Sequence, residues 1–168
     1  MTSDDLHAMA GSEDWEVRAR AADRIGRARD EADDPVVLRL LGDASDTAVS
    51  EAMAQSLLEH RRENGVLPIL RVLGSPIAEL QEDTAFHLSM VLLQAWGDGV
   101  DVGGVLHETL ARSAGAPELV AALEFVAWAA PVQLPGAETL SLIRTLTQHP
   151  DPLVAEAASD AVRAFDVS

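Results

Sequence analysis

The sequence predicts an all-α fold, an α-α superhelix (solenoid) of about four to five helix pairs arranged in a right-handed arc. Three observations carry this expectation. Alanine and leucine dominate, and aromatics are limited to three Trp and three Phe with no Tyr, so strong helix formers are abundant and aromatic strand formers scarce. Five segments share one pattern of apolar and small residues at helical spacing. Several of these segments open on an aspartate placed where a helix N-cap belongs.

The first segment runs from Asp14-Trp15-Glu16-Val17 into Ala21, Ala22 and Ile25. Asp46-Thr47-Ala48-Val49 leads into Met53, Ala54 and Leu57, and Pro76 to Leu80 leads into Thr84, Ala85 and Leu88. Pro117-Glu118-Leu119 leads into Leu123 and Ala127, and Asp151-Pro152-Leu153-Val154 into Ala157, Ala158 and Val162. The anchors Val17, Val49, Leu80, Leu119 and Val154 are 32, 31, 39 and 35 residues apart. A period of that length implies one supersecondary unit per repeat. Pro152 fits a first helical position, where its missing N–H costs nothing.

A second helical pattern fills the gaps, over Pro35 to Leu41, Val66 to Leu73, Val105 to Leu110 and Leu140 to Leu146. Each repeat is thus expected to be a helix A followed by a helix B, with the last A unpaired. Gly42, Gly74 and Gly115 are expected to terminate helices. Pro68 is tolerable if its helix begins near Gly65 or Val66. The third A helix is expected over Ile77 to Trp96, followed by a loop over residues 97–104. Residues 1–12 read as an N-terminal tail or cap covering the first repeat, and residues 13–168 as a single repeat domain.

The segments Asp14 to Ile25, Asp46 to Leu57 and Asp151 to Val162 resemble the HEAT family, and more closely its short bacterial variants of the type found in phycobilin lyases. The resemblance spans roughly residues 13 to 166, and repeats three and four depart from it by lacking the leading Asp. It implies a stacked helix-pair solenoid and says little of function. Members of related branches include alkylpurine DNA glycosylases with basic, aromatic-bearing concave faces, and iron hydroxylases that use several His-Glu dyads.

Arg39, Arg71 and Arg144 share an apolar-Arg-x-Leu context in the B segments, and Glu108 fills the same slot in repeat three. Stacked repeats would align the four. One reading is a polar stripe that binds a partner. The other is the structural ladder of HEAT-like repeats, with Asp33, Asn64, Asp101 and Glu138 as partners six or seven residues upstream. Trp15 and Trp96 join the partner-binding candidates because tryptophan is enriched at binding hot spots; Trp128, in an Ala-rich apolar segment, reads as core. The run Arg18, Arg20, Arg24, Arg27 and Arg29 interleaves with acids, the pattern of solvated surface pairs.

Catalytic chemistry finds no foothold. Cysteine is absent, which removes disulfides, thiolate metal sites and cysteine nucleophiles. No His-x-x-His or His-Glu-x-x-His spacing, P-loop or nucleophile elbow occurs. His107-Glu108 and the reversed Glu59-His60 are single dyads, and the Asp98 to Gly104 stretch lacks the alternating oxygens of a calcium loop. The expectation is a non-enzymatic chain without catalytic residues, metal or cofactor.

Net charge is −16, and all twelve basic residues are Arg. That excess disfavours nucleic acid and anionic membranes and would steer in a basic protein; it also serves solubility alone. No signal peptide or span-length apolar run is apparent. The expected function is protein-protein interaction, as a scaffold or adaptor in the cytoplasm. The alternatives are an immunity- or antitoxin-type inhibitor of a basic toxin, or a relative of the HEAT-like nucleic-acid enzymes and metal hydroxylases. A monomer and a weak homodimer both fit.

Overall fold

Four helix starts carry an aspartate cap. The computed structural model describes residues 3–28, 34–74, 82–112 and 115–167. Among the described residues the regular structure is ten α-helices and one short 3-10 turn, Arg62–Gly65, with no strand. The helices are α1 (Ser3–Ala10), α2 (Trp15–Ala28), α3 (Asp34–Leu41), α4 (Thr47–Arg61), α5 (Val66–Leu73), α6 (Glu82–Gly97), α7 (Val102–Ala111), α8 (Ala116–Ala129), α9 (Ala137–Leu146) and α10 (Pro152–Val167). The five A segments correspond to α2, α4, α6, α8 and α10, and the four B segments to α3, α5, α7 and α9. Residues 75–81, where the third A helix was expected to begin, lie outside the described residues.

The three expected aspartate caps are present. Asp14 accepts from Glu16 N, Asp46 from Ala48 N and Asp151 from Leu153 N, each at 2.9 Å. Each carboxylate satisfies an N–H that a helix start leaves without an intrahelical acceptor. Pro152 opens α10 and Pro68 falls in the first turn of α5, both positions where proline removes no helical bond. Gly42 and Gly74 follow directly on α3 and α5. Gly115 differs: it is the N-cap of α8, with φ −56° and ψ 150°, and α7 ends earlier, at Ala111. Glycine serves either end of a helix, and one residue alone does not say which.

The expected loop over 97–104 is shorter than its glycines suggest. Gly99, at φ +88°, closes α6 with a paired motif: Gly99 N donates to Trp96 O at 3.2 Å and Val100 N to Ala95 O at 2.9 Å. Val100 and Ala95 are both buried, the apolar contact that accompanies this C-terminal cap. Asp101 then starts α7 by accepting from Gly104 N at 2.8 Å.

The residues cluster into two units, one of 1–73 with 77–100 and one of 74–76 with 101–168. In the first, α2, α4 and α6 pack in chain order as one row and α3 packs on α5 as a second. The rows meet through α2 with α3, α3 with α4, and α5 with α6. Within the stretch expected as a tail or cap, Ser3–Ala10 forms α1 and packs on α2 and α3. Ile25, Met53, Leu57, Leu88 and Leu92 from the first row and Leu40, Leu41, Ile69 and Leu70 from the second are all buried. Each such side chain contributes roughly 1.5–3 kcal/mol by leaving water. Ala21, Ala22 and Ala54 are fully buried, the small residues that let helix axes approach. In the second unit α8 packs on α10 and α7 on α9, with α7 also meeting α8 and α9 meeting α10. Its core holds Leu106, Leu123, Val126, Ile143, Val154 and Ala158.

Arg62, the residue that ends α4, has φ 49° and ψ −121°, a conformation that glycine accepts and other residues pay about 1–3 kcal/mol to hold. Its guanidinium donates to Gly99 O at 2.8 Å, an exposed bond contributing about 0.5–1.5 kcal/mol. Strain outweighs the bond, so Arg62→Gly is expected to stabilise the chain by about 1 kcal/mol. A rise in the urea midpoint at unchanged m-value checks it; a fall shows that the contact dominates.

Candidate functional site

Each unit carries one pair of the predicted row on neighbouring helices. Arg39 and Arg71 stand exposed on α3 and α5, which pack on each other. Glu108 and Arg144 stand exposed on α7 and α9, likewise packed. Glu108 pairs within its own helix, accepting from Arg112 at 2.8 Å across one turn; both side chains are well exposed, so the pair contributes little. Of the suggested ladder partners, Asp33 lies outside the described residues, and Asp101 faces Gly104 N as the α7 cap. Trp15 opens α2 and is 45% exposed, while Trp96 is half-buried in the last turn of α6. Trp128 departs from its expected place in the core: it is 39% exposed, its ring tilted on Phe125 at 6.1 Å.

The principal buried polar cluster is one that sequence reasoning passes over. Arg18, read as part of a solvated run, is 8% exposed. Its Nε donates to Asp43 Oδ2 at 2.7 Å and its Nη2 to Asp43 Oδ1 at 3.1 Å and Ser45 Oγ at 2.7 Å. Its Nη1 donates to the Ser12 and Glu13 carbonyls at 2.9 and 3.0 Å. A guanidinium has five N–H groups, and all five are engaged. The loop before α2 is thereby tied to the loop between α3 and α4. Burial works to raise the Asp43 carboxyl, but hydrogen bonds from Arg18 and Ser45 and the Arg18 charge outweigh it and hold it below the ordinary carboxylate range. An open cleft of about 530 Å³ lies beside this node, bounded by Ser12, Gly42, Ser45 and the exposed Arg39. Arg18 offers it no remaining donor, so the node is structural. The equivalent slot in the next repeat, Ser50, is likewise buried. Elsewhere in the run the expected surface pairing holds, as in Arg27 with Asp23 at 3.0 Å.

The histidines do not converge. His107 Nδ1 lies 3.1 Å from Thr139 Oγ1 on α9, while its neighbour Glu108 points outward to Arg112. His60 Nε2 is 3.7 Å from Glu59 Oε2. His149 Nδ1 accepts from Asp151 N at 3.1 Å, which helps seat the start of α10. Among the described residues no group of three or more His, Cys, Asp or Glu could hold a metal ion. No described helix is long and apolar enough to cross a membrane. On α8, burial raises the Glu124 carboxyl above its usual value and the Asp160 charge on α10 adds to the rise.

A second cleft, of about 420 Å³, lies between α4 and α6. Leu58, Val91 and Ala95 form its apolar floor, and Gln55, Glu59, Gln94 and Asp98 its polar edges. The helices run alongside each other in fixed register: His87 Nδ1 sits 3.7 Å from Glu51 Oε2 near one end, and Arg62 reaches Gly99 O at the other. Phe86 and Met90, one turn apart on α6, are 53% and 44% exposed. The chain matches no protein-family model and no curated protein sequence.

Proposed function

We propose that the chain is a non-catalytic protein-binding module, a HEAT-like α-solenoid that acts as scaffold or adaptor for a basic protein. The observation that carries this reading is the packing order inside each unit, where alternate helices lie side by side as rows. That order suits stacked helix pairs, which present extended surfaces rather than enclosed sites. The charge of −16 supports a basic partner, because it steers cationic surfaces in and repels phosphate backbones and anionic bilayers. An inhibitor that masks a basic toxin is the most specific form of the same reading.

The test is co-purification from the native host, with mass spectrometry of what stays bound. A basic protein retained at roughly 50 mM salt and released near 500 mM, where the Debye length shrinks to about 4 Å, is the expected result. No protein retained at either salt overturns the reading.

A further inference from the structure

We propose that the α4–α6 face is the docking site for a basic amphipathic segment of the partner protein, with apolar side chains seated on Phe86 and Met90 and cations on Glu51, Glu59 and Asp98. The inference rests on the protein-binding reading and adds the place and the chemistry of contact. Glu51, Gln55 and Glu59 recur every four residues and form one column along α4. Phe86, Met90 and Gln94 form the matching column on α6. The two columns are held in register by the Glu51–His87 contact and the Arg62–Gly99 hydrogen bond. The 420 Å³ cleft is lined by Gln55 and Glu59 of the first column and Gln94 of the second, and Phe86 and Met90 stand exposed on α6 in the turns before it.

The dimensions fit one kind of occupant. From residue 51 to residue 62 a helix advances about 16 Å, which three turns of a partner helix span. Such a helix places apolar residues at i, i+3 and i+4 toward Phe86 and Met90, as in helix-in-groove recognition, and turns its basic flank to the α4 column. Within the face Arg62 is the one guanidinium, and it is directed at Gly99 O. Glu59 retains a side chain that is 71% exposed, and Asp98 is exposed as well. Glu51 already meets His87 and Gln55, but apolar exposure beside the exposed Glu59 and Asp98 carboxylates is complementary to a segment carrying both Leu-like and Arg-like side chains. A phosphate-bearing or anionic surface would meet like charge.

The experiment is a ¹⁵N–¹H titration of the full chain with a synthetic 18-residue helical peptide that bears Arg on one face and Leu on the other. A scrambled peptide of equal composition is the control. Amide shifts should concentrate in residues 51–62 and 86–98, with little response to the scrambled peptide. Phe86→Ser with Met90→Ser should weaken binding at least tenfold, and Glu59→Gln with Asp98→Asn should flatten its salt dependence. All four positions are at least partly exposed, so far-UV circular dichroism should match the parent chain. Shifts spread evenly over the acidic surface, shifts centred on α8 and α10, or unchanged affinity in both double variants overturn the site. Those outcomes leave the protein-binding reading standing, because co-purification tests it separately.

Discussion

Asp43→Ala is expected to lower the unfolding free energy by roughly 3–5 kcal/mol, the usual cost of removing one member of a buried ion pair. Both side chains of the Arg18–Asp43 pair are about nine-tenths buried, at 10% and 9% exposure. Deleting the carboxylate leaves two of the five Arg18 hydrogens without their protein acceptor. It also takes an acceptor from Ser45 N, Ser45 Oγ and Asp46 N, at 3.1, 2.7 and 3.0 Å. Arg18→Met should cost a similar amount by freeing the Ser12 and Glu13 carbonyls, but Asp43 then keeps its Ser45 and Asp46 donors. A double-mutant cycle in urea should give a coupling of about 2–3 kcal/mol, near the top of the range for contacting residues. Coupling near zero would show that the loops hold without the pair.

The same pair fixes a pH dependence. Asp43 titrates below its unfolded value, so the folded state binds its proton less readily than the unfolded chain does. The stability this confers is fully present above the unfolded carboxylate pKa, near 4, and is lost as pH falls through the lower folded value. The gap between the parent chain and Asp43→Ala should therefore be constant from pH 7 to about pH 5 and narrow below pH 4. A gap that widens on acidification would reverse the sign of the linkage.

What was legible in the sequence was local. Asp14, Asp46 and Asp151 announce helix starts because a cap needs only the next two or three residues. The B segment Val66 to Leu73 is found with the same limits for α5, since its apolar period and the flanking glycines lie within one window. Arg18 was not legible in this way. Its burial depends on Asp43 and Ser45, 25 and 27 residues away, and on local pattern alone it is one arginine among five. Trp128 misled for the converse reason: an Ala-rich apolar helix states that it packs, but not which residues are left at the edge of the contact. The α4–α6 face is hidden for a third reason. It exists only once two helices are in register, and Glu51, Gln55, Glu59, Phe86 and Met90 carry no pattern that marks them when each helix is read alone.

Gly26 shows how far such long-range packing controls stability, and Gly26→Ala should destabilise the chain by about 1–3 kcal/mol, although alanine is the better helix former. Gly26 is buried in α2 against α4. A Cβ built there would lie 2.3 Å from Ser56 Oγ, 2.7 Å from Ser56 Cβ and 3.0 Å from the Ser56 carbonyl carbon. Ser56 cannot simply turn aside, because its Oγ donates to Asp23 O at 2.7 Å. The α4 backbone also approaches, and Arg61 from the end of α4 donates to the Ile25 and Gly26 carbonyls at 3.1 and 3.3 Å. Alanine gains about 1 kcal/mol of propensity. Against that stand overpacking, about 1–3 kcal/mol, and the Ser56 hydrogen bond, about 1 kcal/mol, so the penalty wins. Ser56→Gly in the Gly26→Ala background removes both atoms of the closest clash and should recover the overpacking part of the loss, less about 1 kcal/mol for a glycine inside α4. Gly97→Ala is the control: nothing lies within 4 Å of its Cβ position, at the end of α6, and it should be neutral or slightly stabilising. Equal midpoints for Gly26→Ala and Gly97→Ala in urea would mean that α2 and α4 pack less closely than the Gly26–Ser56 approach requires.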